Sequence, residues 1–437
     1  MLGLSDEFLG QEAVLLLLLP VLFRPFFKKH AYADSTVTLS PLSVALALLL
    51  IAVYGLSYAL AAITLIALSV LLINLRALQR FNSRLYVDRY STVFRIAAVI
   101  ESIVAIALAI GGNPANMAIC VACFIRDSAG ALKLHTAAPV QYLRPEIVGI
   151  VLGALIMAIA SREFKSTAGS SPFTRLLLGF IMVIGALVFL GCPLRMVLRM
   201  AAGDLNAWVA LVGFAGGIGV GIFVLKQGFS LGRAAASTRK ADGYILPAVL
   251  LVLLVLSLTT SLLALSTEGP GSKHAPVILS VIGGLAFGAL AQKSRMCFAG
   301  SLRDVFIARD FNGLIVIGIL FVGVLVYNLV NGSFKLGFDA QPIAHSEALW
   351  NVLGMFVVGL AATMLGGRPL RQLILAGSGS SDSALTFVGM LLGGAFAHNF
   401  GIASSGTGTT PAGQIMTVVC IVALACIAAI NIKRANA

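Results

Sequence analysis

From Pro41 to Leu75 the chain carries no charged residue, and long apolar runs recur from there almost to the C-terminus. A run of about 20 apolar residues is long enough to cross a bilayer as a helix. With no water in the bilayer core, backbone polar groups must be satisfied within the segment. Composition points the same way: 59% of the 437 residues are hydrophobic and 11% charged, with a mean hydropathy of +1.01. A soluble domain carries about 25% charged residues. The expectation is an all-α, polytopic integral membrane protein whose solvent is the lipid bilayer. The 45 glycines suit close approach between membrane helices.

The formal net charge of +13 does not imply nucleic acid. The basic residues lie in short loops between apolar runs, where they fix orientation. A nucleic-acid face would cluster them among polar residues. Thirteen spans are expected. The first lies near 10–27, and 41–75 splits near Gly55 into two. The others fall near 92–111, 145–161, 173–190, 207–226, 244–266, 275–292, 313–331, 350–366, 384–401 and 413–431. This places Arg24, Lys28 and Lys29, the run Arg76 to Arg89, Arg162, Lys165, Lys226, Arg233, Lys293, Arg295 and Lys433 on the cytoplasmic side of an inner membrane. Asp6 and Glu7 precede the first span and positive charges follow it. That order predicts an uncleaved signal anchor with its N-terminus outside.

Two motifs occur twice. Cys120-Val-Ala-Cys123-Phe-Ile-Arg126-Asp127 is answered by Cys297-Phe-Ala-Gly300-Ser-Leu-Arg303-Asp304, 177 positions on. Gly191-Cys192-Pro193-Leu194-Arg195 is answered by Gly367-Arg368-Pro369-Leu370-Arg371 at an offset of 176, and Gly203, Gly213 and Gly217 by Gly379, Gly389 and Gly393. The order and spacing indicate an internal duplication. The halves run over 91–266 and 267–437, with 1–90 as an accessory transmembrane unit. Five spans per half invert the second copy, and inverted repeats place a solute site near the midplane, where broken or re-entrant helices meet.

Pro193 and Pro369 should stop the helices that precede them. Charges at such breaks are tolerated only where protein or a water-filled cavity covers them, which implies a pathway. Cys120, Cys192 and Cys297 are soft, weakly donating groups suited to a sulfur- or selenium-bearing anion. Arg126, Arg195, Arg303 and Arg368 would favour that anion. Cys123 reads either as a packed small residue or as part of the thiol set. His398, with Asn399, reads either as a pathway group or as a packed pair. Cys420 and Cys426 read as small hydrophobes. Arg303 also fits a simple positive-inside anchor. No second cysteine pair or histidine cluster supports zinc, and no Walker A, Rossmann or catalytic-triad pattern occurs. A permease without a cofactor is expected, rather than an enzyme. A membrane thiol enzyme, or a platform exchanging sulfur or selenium with a soluble carrier, is the alternative.

These motifs, with Asn113-Pro-Ala-Asn-Met117, Gly228-Phe-Ser-Leu-Gly-Arg233 and Ala397-His-Asn-Phe-Gly401, resemble the YeeE/YedE sulfur-transport family, in particular its selenium-transporter branch. The resemblance covers about 111–431. It implies a permease of inverted repeats for thiosulfate or a small selenium compound, with Cys120, Cys192 and Cys297 along the path. It also implies a TusA/SirA-like sulfur-carrier protein as partner. The family pattern has a cysteine where this chain has Arg368. That residue would either hold an anion or pair with Asp382 and partly close the route.

Overall fold

The structure, a computed structural model, describes residues 88–432. These residues are almost entirely helical. The expected spans at 10–27 and within 41–75 lie outside the described residues, as does most of the accessory unit. Helix α1 (Asp88–Ile110) leads to the short α2 (Val121–Ala131), then α3 (Pro145–Ala160) and α4 (Pro172–Phe189). After them come the short α5 (Pro193–Ala201), α6 (Leu205–Lys226) and α7 (Ile245–Thr259). One turn, α8 (Gly269–Ser272), precedes a second series: α9 (Val277–Lys293), α10 (Phe298–Ala308), α11 (Asn312–Val330), α12 (Ala348–Leu365), α13 (Pro369–Gly377), α14 (Ser381–Asn399) and α15 (Pro411–Asn431). Thr167–Ala168 and Ala235–Ala236 form a small antiparallel ribbon.

Each of the ten spans expected between 92 and 431 falls on a helix, but α7 ends at Thr259, short of the expected 266, and α1 and α14 are not among the segments long and apolar enough to cross a membrane. Among the described residues, eight helical segments are long and apolar enough to cross a membrane, which makes this a multi-pass membrane protein. Its polarity is inverted relative to a soluble globule. Val212, Phe223, Val252, Ile282, Ile415 and Val422 are more than half exposed, or nearly so, on outward faces, while arginines are among the largest fully buried side chains.

Helices α2, α4, α5 and α6 recur as α10, α12, α13 and α14 at the sequence offset of 176 to 177. Their packing is reciprocal. α6 packs on α12 and α4 on α14; α3 packs on α9 and α1 on α11; α2 packs on α14 and α10 on α6. Each helix therefore meets the counterpart of a different helix in its own series, the pattern of a pseudo-two-fold. At the centre α4 meets its own counterpart α12. Gly185 lies against Val357, and Gly354 against Val188 and Phe189, so these equivalent helices run antiparallel.

Glycines make these approaches possible. A Cβ at Gly213 or Gly217 would collide with the carbonyls of Val352 or Phe356 on α12, and one at Gly389 with that of Leu176 on α4. Without a hydrophobic force between helices in lipid, such close van der Waals contact holds the bundle together. Gly213→Leu should therefore destabilise the fold, at about 1–3 kcal/mol for overpacking. Gly219→Leu, whose Cβ would meet nothing within 4 Å, should be tolerated. Fluorescence-detected size exclusion after graded heating distinguishes them, and equal midpoints would sink the packing account.

Candidate functional site

Both proline motifs break a long helix. α4 ends at Leu190 in the left-handed region (φ 62°), Cys192 is extended, and Pro193 starts α5. α12 ends at Gly366 (φ 73°), Arg368 is extended, and Pro369 starts α13. Leucine in that region is strained, whereas glycine is at home there. Cys120 and Cys297 occupy the corresponding place before α2 and α10. The Cys120 sulfur accepts from the Cys123 backbone N–H, and the Cys297 sulfur from that of Gly300. All four motif residues thus sit at N-termini of short helices, where the helix dipole favours negative charge.

The structure brings Cys120, Cys123 and Cys192 into one buried group. The Cys120 and Cys123 sulfurs are 2.8 Å apart. Cys192 lies beside Cys120, and as the residue before α5 its side chain makes no hydrogen bond to that helix. Arg195, fully buried, donates to the Cys123 sulfur at 3.6 Å. It also donates to the carbonyls of Asn116 and Ile343 and to Leu190 O, which the helix break frees.

Arg368 lies within electrostatic reach of both Cys192 and Cys297. It is 1% exposed. Its Nε, Nη1 and Nη2 have no hydrogen-bond partner among the described residues. The closest aromatic support is the Phe298 ring, 5.7 Å from the guanidinium carbon. Asp382, its expected partner, is engaged elsewhere. Its carboxylate accepts from the backbone N–H groups of Gly169 and Ser170, each at 3.1 Å.

Cys297 opens onto a cavity of about 290 Å³ lined by Arg295, Arg303, Asp304, Gly366, Gly367 and Arg371. Arg295 pairs there with Glu163, just beyond the C-terminal end of α3. The opposite end of α3 is sealed. Arg144 donates to the carbonyls of Pro270 and Lys273, Asn113 bonds Glu146 and the Ala275 backbone, and Tyr142 stacks on His274 at 4.2 Å. The two copies differ accordingly: α2 is wholly buried, whereas the C-terminal half of α10 is exposed.

The remaining sequence candidates lie around this line. Arg126 is held by Asp127 at 2.6 Å, and Asp127 also binds Arg144 at 2.8 Å, so one carboxylate serves two guanidiniums. Arg303, part-exposed in the cavity, pairs with Asp304. His398 stacks on His135 at 4.8 Å, and His135 contacts the Arg126 carbonyl. His398 therefore belongs to the layer behind Arg126 rather than to the thiol group. Sequence reasoning missed Arg144, Arg371 and Glu101. Glu101 stands inside an expected span, and that alone is a signal for function.

A family model described as the TP_0976_N N-terminal domain matches residues 5–112. The match covers the N-terminal segment and α1, and ends before Cys120. No curated protein matches the chain.

Two outcomes are expected. In native membranes, N-ethylmaleimide should modify Cys297 while Cys120, Cys123 and Cys192 react only after denaturation. Mass spectrometry reads this, and equal labelling of Cys120 would place the thiol group on an open surface. Asp127→Asn should strand two buried guanidiniums, costing about 3–5 kcal/mol. A sharp loss of monodisperse protein is the readout.

Proposed function

We propose that the protein is a permease of the bacterial inner membrane for a small sulfur- or selenium-containing anion such as thiosulfate. One observation carries the reading: the buried guanidinium of Arg368, unpartnered and within electrostatic reach of thiols from both halves. A buried cation without a partner is costly, and an arriving oxyanion would relieve that cost through charge-assisted, bidentate hydrogen bonds. The thiols suit the other end of such a solute. Sulfur is polarisable and a weak donor, so it contacts a soft atom without holding it tightly.

On this reading the solute passes between the cavity at Cys297 and the group at Cys192, Cys120 and Cys123, with Arg368 between them. The cavity shares its side with Arg162, Lys165 and Lys293, and the bias of positive charge toward the cytoplasm supports a cytoplasmic opening on this reading. A TusA/SirA-like sulfur carrier would collect the solute there, beside the part-exposed thiol of Cys297. The proximity of the Cys120 and Cys123 sulfurs favours one second reading, a thiol centre that exchanges sulfur or selenium covalently with such a carrier.

The test is uptake of labelled thiosulfate, sulfite and selenite by cells lacking other importers. Arg368→Met should lower uptake at least tenfold while leaving the protein folded, because it strands no hydrogen-bond partner among the described residues. Cys120→Ala with Cys192→Ala should reduce uptake without unfolding. No uptake by the wild type of any of the three anions would sink the permease reading. A trapped persulfide or selenenyl adduct without net uptake would support the exchange reading in its place.

A further inference from the structure

Where the first series carries Cys120 and Cys123, the second carries Cys297 and Gly300. Cys120 is the residue before α2 and Cys123 lies in its first turn, so the helix start brings both side chains together. Both are free thiols, and their sulfurs are 2.8 Å apart. A disulfide needs about 2.05 Å, so the pair stands within about 0.8 Å of bonding distance. Gly300 leaves Cys297 without such a partner on its own helix. Soft contact with a passing anion calls for single thiols, and does not call for two in contact.

Hydrogen bonds distinguish the two sulfurs. Cys123 accepts from the Cys120 thiol and from Arg195 Nη1 at 3.6 Å. Cys120 accepts from the Cys123 backbone N–H at 3.4 Å. A cation and a second thiol beside one sulfur are the setting of a reactive cysteine, which makes Cys123 the attacking sulfur. Arg195 is held independently by the carbonyls of Asn116, Leu190 and Ile343, so it stays in place when Cys123 changes state. Burial selects the oxidant. Cys120 and Cys123 are fully buried, so a fitting oxidant is small and uncharged, and hydrogen peroxide is the simplest of that class.

We propose that Cys120 and Cys123 form a redox-modification site, oxidised by hydrogen peroxide to a disulfide that stops anion passage. The disulfide needs only the thiol pair; its effect on transport rests on the permease reading. The Cys123 sulfur attacks one peroxide oxygen. The O–O bond breaks, a sulfenic acid forms on Cys123, and its thiol proton leaves in a water molecule. The Cys120 sulfur then attacks the Cys123 sulfur. The S–O bond breaks, the S–S bond forms, and a second water leaves with the Cys120 proton. The two thiols lose two electrons and the peroxide gains them. Two of the three soft contacts in the buried group are then gone, and a small dithiol restores them by exchange.

Peptide mapping of the purified full-length protein tests the site. The protein is treated with hydrogen peroxide, denatured, alkylated and analysed by mass spectrometry, with and without prior reduction by dithiothreitol. The peptide carrying Cys120 and Cys123 should lose two hydrogens, escape alkylation at both residues, and regain both sites on reduction. Alkylation of both thiols after peroxide, a bond from Cys192 to either, or an irreversible sulfinic acid at either overturns the site. Membrane vesicles test the consequence. Peroxide should remove most of the thiosulfate uptake of wild type and dithiothreitol should restore it, while Cys123→Ala should lose nothing further on treatment. A disulfide without loss of uptake overturns the transport stop. If Cys123→Ala does not fold or carries nothing, Cys297→Ala decides: it should stay sensitive to peroxide, and resistance would move the stop to Cys297. Untreated wild-type vesicles inert to thiosulfate, sulfite and selenite would sink the permease reading and the stop with it, and the peptide map would still decide the disulfide.

Discussion

Burying guanidinium groups inside a lipid-embedded bundle is the constraint on which this structure depends. Four arginines, Arg144, Arg195, Arg199 and Arg368, are among its largest fully buried side chains. An arginine held among apolar helices needs compensation from the protein, because lipid supplies none. Three receive it by different means. Arg144 shares Asp127 with Arg126; Arg199 has Asp204 at 2.6 Å and the Phe189 ring at 4.2 Å; Arg195 uses carbonyls and a thiol. The break after α4 serves two of them, since Phe189 O accepts from Arg199 and Leu190 O from Arg195. Arg368 alone of the four is left without such partners among the described residues.

The frame around these charges is symmetric and the chemistry within it is not. Reciprocal packing through Gly213, Gly217, Gly389 and Gly393 locks the two series together. Within that frame Cys192 faces Arg368 across the pseudo-two-fold, and Cys123 corresponds to Gly300. One copy is closed by the segment around Pro270 to Ala275, and the other opens at Cys297. Symmetry supplies two half-helix N-termini from each side, and substitution at single positions makes one end a thiol group and the other a cationic pocket.

The helices between 88 and 432 were legible in the sequence because lipid imposes one strong rule on every segment. Pro193 and Pro369 marked the two breaks, since proline cannot continue the ladder of the preceding helix. The short helices α2 and α10 were less legible. They are too short for a hydropathy signal, and the repeated cysteine–arginine spacing was their only trace. The role of Asp382 was open in sequence. Its backbone partners Gly169 and Ser170 lie far away in the chain, and no local pattern could have named them. His398 was singled out for lying inside a span, yet its stacking on His135 depends on a loop whose path the sequence does not set.

The sequence by itself determined the solvent, the helices, the duplication and the residue types at each break, because each of these follows from local composition or from comparison of the chain with itself. Only the tertiary structure decided which charges are paired. Asp127 bridging Arg126 and Arg144, Asp382 turned to the backbone of Gly169 and Ser170, and Arg368 left without a hydrogen-bond partner among the described residues are outcomes of three-dimensional proximity. Electrostatic energy depends on distance and burial, neither of which a linear pattern carries.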